Sequence, residues 1–146
     1  MYCYKYPHPA VTADCIVYHR NGDSIDVLLI KRKNEPYKAC WAFPGGFINI
    51  DESAEEAAIR ELREETGLEV DKIEQLKAYS NPERDPRERI ITIAFIAESD
   101  IKDVKGSDDA QEAKWFSIDE LPPLAFDHED ILKDAIKRIR NNETKD

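Results

Sequence analysis

The run from Gly46 to Leu68, GFINIDESAEEAAIRELREETGL, restricts the fold more than any other stretch of this chain. Ser53 with Glu56 three residues on makes a capping box. Gly67 stands where a left-handed C-terminal cap belongs. Between them Ala54, Ala57 and Ala58 are good helix formers, and no β-branched run interrupts them. The spacing predicts a helix over 53–66. At about 100° per residue, Ala54, Ala57, Ala58, Glu61, Glu64 and Glu65 share one sector, while Ile59, Leu62 and Thr66 share another. The aliphatic sector is expected to pack on a sheet. The small residues of the other sector are expected to let a ligand approach, and its carboxylates to hold that ligand.

Those carboxylates make an isolated helix implausible. Glu61 is three residues from Glu64 and four from Glu65, so their Cβ atoms lie about 5–6 Å apart. Two unit charges at that distance repel by about 3 kcal/mol at an effective dielectric near 20. Bound divalent ions reverse the sign. Oxygen ligands without His or Cys suit Mg²⁺, with Mn²⁺ as a substitute. Such an ion can acidify a water and neutralise a pyrophosphate. Arg60, four residues before Glu64, reads as an ion-pair partner that orients a carboxylate. A solvated glutamate-rich face is the plain alternative for any Glu-Glu pair.

Around this run the elements are irregularly mixed. Ala10–Tyr18 and Ile25–Lys31 read as two strands of a hairpin about Asn21-Gly22. A polar loop, 31–40, and a short apolar segment, Trp41–Phe43, lead to Pro44-Gly45-Gly46, read as a tight turn that tolerates no Cβ. Glu69–Tyr79 reads as a strand and Asn81–Glu88 as a charged turn. Ile90–Ala97, apolar on both faces, reads as a central strand. An acidic loop over 100–111 precedes a short strand over 112–116. Asp127–Arg140 reads as a second helix that buries Ile131, Leu132, Ala135, Ile136 and Ile139, and the last six residues as frayed. One domain over 1–146 is expected, an α/β fold with a mixed sheet between helices.

Gly46, Glu52, Arg60, Glu61, Leu62, Glu64, Glu65, Gly67 and Leu68 fall at the offsets G-x5-E-x7-R-E-U-x-E-E-x-G-U, with U apolar. This pattern resembles the signature of the Nudix hydrolases without a departure. The resemblance implies an α/β/α sandwich and attack of water on a phosphorus of a nucleoside diphosphate linked to another group. It implies metal ligands at Glu61, Glu64, Glu65 and the backbone of Gly45 or Gly46, with help from Glu52. It leaves the base open, with Glu64 as first choice. An acid in the 108–112 stretch is a further candidate for ligand or base.

The segment Ser80–Arg87, with Pro82 about fifteen residues past Gly67, resembles the ADP-ribose pyrophosphatase-like group of bacteria and archaea. So do Trp41–Gly46 and the preceding Lys31-Arg32-Lys33. The expected substrate is therefore ADP-ribose, cleaved to AMP and ribose 5-phosphate. Arg32, Arg84 and Arg89 are candidates for phosphate contacts because a guanidinium forks onto phosphate oxygens. Trp41 or Tyr37 is a candidate for stacking on adenine. The alternatives are a triphosphate pyrophosphatase for oxidised or non-standard nucleotides and a non-catalytic ADP-ribose sensor.

The chain carries 31 acids against 21 bases, a net charge of −10. That balance argues against nucleic-acid and membrane partners, which favour basic faces. The short tail after the second helix argues further against a DNA-binding appendage. A small nucleotide is the expected partner, and a homodimer is compatible with the family resemblance. Three cysteines without Cys-x-x-Cys spacing, and no leader-like or membrane-spanning run, fit a cytoplasmic protein. An acidic protein that takes an anionic substrate must screen its own charge locally, through metal ions or a few arginines.

Overall fold

The computed structural model describes residues 1–104 and 110–143. Among the described residues seven strands form one mixed sheet: β1 (Ala10–Asn21), β2 (Ser24–Arg32), β3 (Trp41–Ala42), β4 (Gly45–Phe47), β5 (Glu74–Tyr79), β6 (Ile90–Glu98) and β7 (Ala110–Ser117). The main path runs β3-β2-β1-β6-β5, with β4 added on β1 and β7 on β2. β1 and β6 are parallel over nine residue pairs, and the other pairings are antiparallel. Ile90–Ala97 is central, as its two-sided apolar pattern requires: β6 lies between β1 and β5.

Helix α1 (Ala54–Thr66) covers one face of the sheet and α2 (His128–Glu143) the other. On the first face Ala57, Ala58 and Leu62 pack against Ala13, Val17, Leu28 and Phe95. On the second, Ile131, Leu132, Ala135 and Ile139 pack against Ile16, Val27, Leu29 and Ile96. This is the mixed sheet between helices that the order of elements predicts, and the α/β/α sandwich that the family resemblance implies. α1 begins with Ser53 and Glu56 exchanging both bonds of a capping box, and ends at Gly67 with φ 77°.

Two local expectations change. Ala57 and Ala58 do not line a ligand site; both are fully buried with Leu62 in the core. Their small size lets the helix lie close to the sheet, and this close approach brings Glu61 to the sheet's margin. Gly45 and Gly46 form strand β4, not a tight turn, and neither has a positive φ. Their lack of a side chain serves close approach. A Cβ on Gly45 would collide with the Ala13 carbonyl and the Asp14 carboxylate, and one on Gly46 with the Glu61 carboxylate.

β1 and β2 pair only from Tyr18↔Val27 to Asn21↔Ser24. Before Tyr18, β1 takes β4 as its neighbour, through Thr12–Asp14; beyond Val27, β2 takes β3 at Ile30 and Lys31, while β7 pairs with β2 from Asp26 to Arg32. The sheet therefore forks, and the fork is where a cleft forms. If Gly45 serves close packing, Gly45→Ala should destabilise by about 2 kcal/mol, as overpacking does. Gly67→Ala should cost about 1 kcal/mol, through its left-handed backbone alone. Urea unfolding of both variants measures this, and a Gly45→Ala protein as stable as wild type would contradict the packing account.

Candidate active site

A cleft of about 480 Å³ opens at the fork of the sheet. β1 contributes Thr12 and Asp14, β2 Arg32, β4 Gly45 to Phe47, and α1 Arg60, Glu61 and Glu65. The loop before β6 adds Arg84, Asp85 and Arg87, and the approach to α2 adds Phe126 and His128.

The acid wall is organised by Arg60. Its Nη2 and Nε donate to Glu52 at 2.6 and 2.9 Å, and its Nη1 to Glu61 at 2.9 Å and Glu64 at 3.1 Å. Nη2 also reaches the Phe47 carbonyl at 3.2 Å, tying α1 to β4. One guanidinium thus serves three carboxylates that would otherwise repel. Glu52 caps the Asn49 N–H as well, at 2.9 Å. Hydrogen bonds from Arg60, with that backbone bond, pull its carboxyl down to about 2. Glu61 shifts the other way. Burial raises its pKa, and the hydrogen bond from Arg60 offsets only part of the rise. Glu65 accepts the Gly45 N–H at 2.9 Å.

The three predicted carboxylates are not equivalent. Glu61 and Glu65 line the cleft, and Gly46 lies directly against Glu61. Glu64 is about half exposed (54%) and is not among the lining residues. Among the described residues no three His, Cys, Asp or Glu side chains are grouped as a metal site. The helix acids that do face the cleft offer hard oxygens, two carboxylates beside a glycine backbone. They fit Mg²⁺, which is commonly held by one or two carboxylates and completed by water and substrate phosphates. Of the 108–112 stretch, Asp108 and Asp109 lie outside the described residues. Glu112 pairs with Lys31 at 3.9 Å and does not line the cleft.

The predicted substrate contacts separate. Arg32 lines the cleft. Arg84 does too, but Asp127 takes its Nε and Nη2 at 2.9 and 2.7 Å, and its side chain is only 4% exposed. It braces the loop to the start of α2. Trp41 and Arg89 are not lining residues; Trp41 packs edge-on against Phe116 at 4.7 Å beside the core. Sequence reasoning passed over Arg87, Phe126, Asp14 and His128. Arg87 sat in the same charged loop as Arg84, with no local signal to choose between them.

His128 is buried under the cleft. Its Nδ1 accepts the Phe43 N–H at 3.2 Å, and its ring stacks on Phe43 with centroids 4.9 Å apart. Burial holds its pKa below the usual imidazole value, so the ring is neutral with its proton on Nε2, 3.8 Å from Asp14. Asp14 also accepts the Thr92 hydroxyl at 2.6 Å. The Phe43 bond ties the link between β3 and β4 to α2, and the Thr92 bond ties β1 to β6.

The arrangement matches a known family. Residues 8–136 match the model of the NUDIX domain. The chain is 49% identical over 133 residues to an ADP-ribose pyrophosphatase of Methanocaldococcus jannaschii, covering 90% of this chain and 76% of that protein. It is 33% identical to an ADPR-responsive transcriptional repressor, NtrR, of Acinetobacter baylyi, covering 93% of this chain but only 56% of the repressor. Among solved structures, the NUDIX domain of Shewanella oneidensis NrtR in complex with ADP ribose superposes with a TM-score of 0.86. It is 30% identical, with 92% of this chain and 90% of that one covered. The chain belongs to the Nudix family of hydrolases and is closely related to the ADP-ribose pyrophosphatase and NrtR-type members.

One expectation is overturned. The acidic balance argues against nucleic-acid partners, yet Shewanella NrtR is also solved with a 27mer DNA. That chain matches this one with a TM-score of 0.72 at 29% identity, over 88% of this chain and 61% of its own. Net charge is a sum over the whole surface and does not describe a single face. Of membranes the structure says only that no described helix is long and apolar enough to cross one.

The charge arrangement predicts a pH signature. Glu52 has a depressed folded pKa, so its stabilisation is present above the ordinary carboxylate range and is lost as pH falls from about 4.5 to about 2. Wild type should therefore be more stable than Glu52→Gln at pH 7, and the gap should close over that window. Glu61 has the opposite sign: its ionised form is disfavoured, and protonation in acid relieves that cost. Urea unfolding at a series of pH values tests this, and a gap unchanged by pH would contradict it.

Proposed function

We propose that this protein is a divalent-cation-dependent pyrophosphohydrolase whose substrate is ADP-ribose, cleaved to AMP and ribose 5-phosphate. The observation that carries the reading is the presence, in one cleft, of two helix carboxylates and a set of arginines. The likeness to an ADP-ribose pyrophosphatase over most of the chain supports the choice of substrate.

Glu61, Glu65 and the backbone of Gly46 are the groups that would hold Mg²⁺ or Mn²⁺, which when bound neutralises diphosphate charge and acidifies water. Arg60 positions Glu61, and Glu52 anchors Arg60. The attacking water gives up a proton as the P–O bond forms, and a cleft carboxylate must take it. Glu61 and Glu65 line the cleft and the half-exposed Glu64 does not, so a carboxylate of that pair is better placed for the task than Glu64. Glu64 then belongs to the Arg60 network as a positioning residue. The arginines and Phe126 bind and orient the nucleotide.

A second reading keeps the ligand and drops the chemistry. The likeness to an ADP-ribose-bound NrtR domain favours a sensor that binds ADP-ribose without cleaving it. A panel of ADP-ribose, other nucleoside diphosphate derivatives and nucleoside triphosphates, incubated with Mg²⁺, separates the readings. Turnover of ADP-ribose, abolished by EDTA, is the expected result. Tight binding without turnover would establish the sensor, and preference for triphosphates would overturn the substrate. Glu61→Gln and Glu65→Gln should lower kcat by about 10²–10⁴-fold, with the far-ultraviolet circular dichroism unchanged. Glu64→Gln should have a markedly smaller effect, and an equal loss would return Glu64 to the reacting centre.

A further inference from the structure

Two arginines of the cleft share one aromatic ring. The guanidinium carbon of Arg32, at the end of β2, lies 4.9 Å from the centre of Phe126, and that of Arg87 lies 5.4 Å from the same centre. All three residues line the cleft. Arg87 is near enough to disfavour the charge on Arg32, an effect second only to burial. Two cations gathered on one ring repel each other, and the ring's negative face offsets only part of that. Phe126 itself has φ 51°, a left-handed backbone that is costly for a bulky residue. Such an outlier at a cleft points to a function.

The hydrogen bonds narrow that function. Arg32 donates Nε to the Pro36 carbonyl at 2.8 Å. Arg87 donates Nε and Nη2 to the buried carboxylate of Asp85 at 3.0 and 2.7 Å. Asp85 also accepts the Arg87 N–H at 2.9 Å, so this pair is held at both ends. Both terminal nitrogens of Arg32 and Nη1 of Arg87 have no protein partner among the described residues. Each guanidinium is thus aimed by one neighbour and keeps donors for a ligand. Arg84, by contrast, is already engaged by Asp127.

We propose that Arg32 and Arg87, seated on Phe126, form a two-guanidinium clamp that takes one phosphate of the substrate's diphosphate. The repulsion between the two guanidiniums is relieved by a bound anion, which places this preference in the ligand-bound state. Asp85 and the Pro36 carbonyl act as positioning groups for the two forks. The clamp rests on the reading of the cleft as a nucleoside-diphosphate site, and it names the residues that read the phosphate.

The test has a catalytic arm and a binding arm. With ADP-ribose as substrate, Arg32→Gln and Arg87→Gln should each raise KM about tenfold, as loss of a charge-assisted fork does, and leave kcat within about threefold. Lys133→Gln removes the same charge from an exposed site on α2 and should leave KM unchanged. In EDTA, calorimetry should show that wild type binds ADP at least about tenfold more tightly than adenosine. That preference should collapse in both variants, with adenosine binding unchanged.

A wild type that does not prefer ADP, or variants that keep the preference, would overturn the clamp. Equal loss of ADP and adenosine would overturn it in favour of base stacking on Phe126. If wild type fails to cleave ADP-ribose while the ADP preference collapses in the variants, the clamp stands and the proposed reaction falls. Thermal melting of each variant separates these results from unfolding.

Discussion

The site depends on one guanidinium. Arg60 joins Glu52, Glu61 and Glu64 and reaches across to the Phe47 carbonyl of β4. Without it, α1 would carry a cluster of like charges against a strand, and Glu61 would be a half-buried carboxylate without that partner. Removing one partner of such a half-buried pair leaves the other charge stranded and destabilises the fold. Arg60 therefore makes the acid wall compatible with folding before any ligand arrives. It does so from the helix side and leaves Glu61 and Glu65 on the cleft.

The second requirement is close approach. Ala57 and Ala58 let α1 sit near the sheet, and Gly45 and Gly46 let β4 slide between β1 and the helix. On the other side, α2 contributes His128, whose bond to Phe43 reaches β3's exit. The forked sheet is thus held open by contacts from both layers of the sandwich. An acidic chain can present an arginine-bearing cleft because its cations are placed individually: Asp127 anchors Arg84, and Asp85 aims Arg87.

What was legible in the sequence were features whose partners lie near in the chain. The capping box of Ser53 and Glu56, the Gly67 cap and the two-sided apolar run of β6 each depend on local spacing, and each appears where that spacing places it. The choice among arginines was not legible. Arg84 finds its acid 43 residues away, Arg87 finds one two residues away, and nothing in NPERDPRE tells which guanidinium keeps free donors. The wheel put Ala57 with the glutamates, because it cannot show that a buried face and a liganding face meet along a common edge. The position of Trp41 was not legible for a similar reason: its ring packs against Phe116, which comes from the distant strand β7.

The central claim is that the Arg60-organised wall presents Glu61 and Glu65 to a divalent cation that shares its coordination with substrate phosphate. Crystals grown with Mn²⁺ and ADP, measured at the manganese absorption edge, test it most directly. The account predicts an anomalous peak bounded by the Glu61 and Glu65 carboxylates and the Gly46 backbone, with a phosphate oxygen of ADP in its coordination shell. A fully occupied nucleotide with no manganese peak at these carboxylates would contradict it.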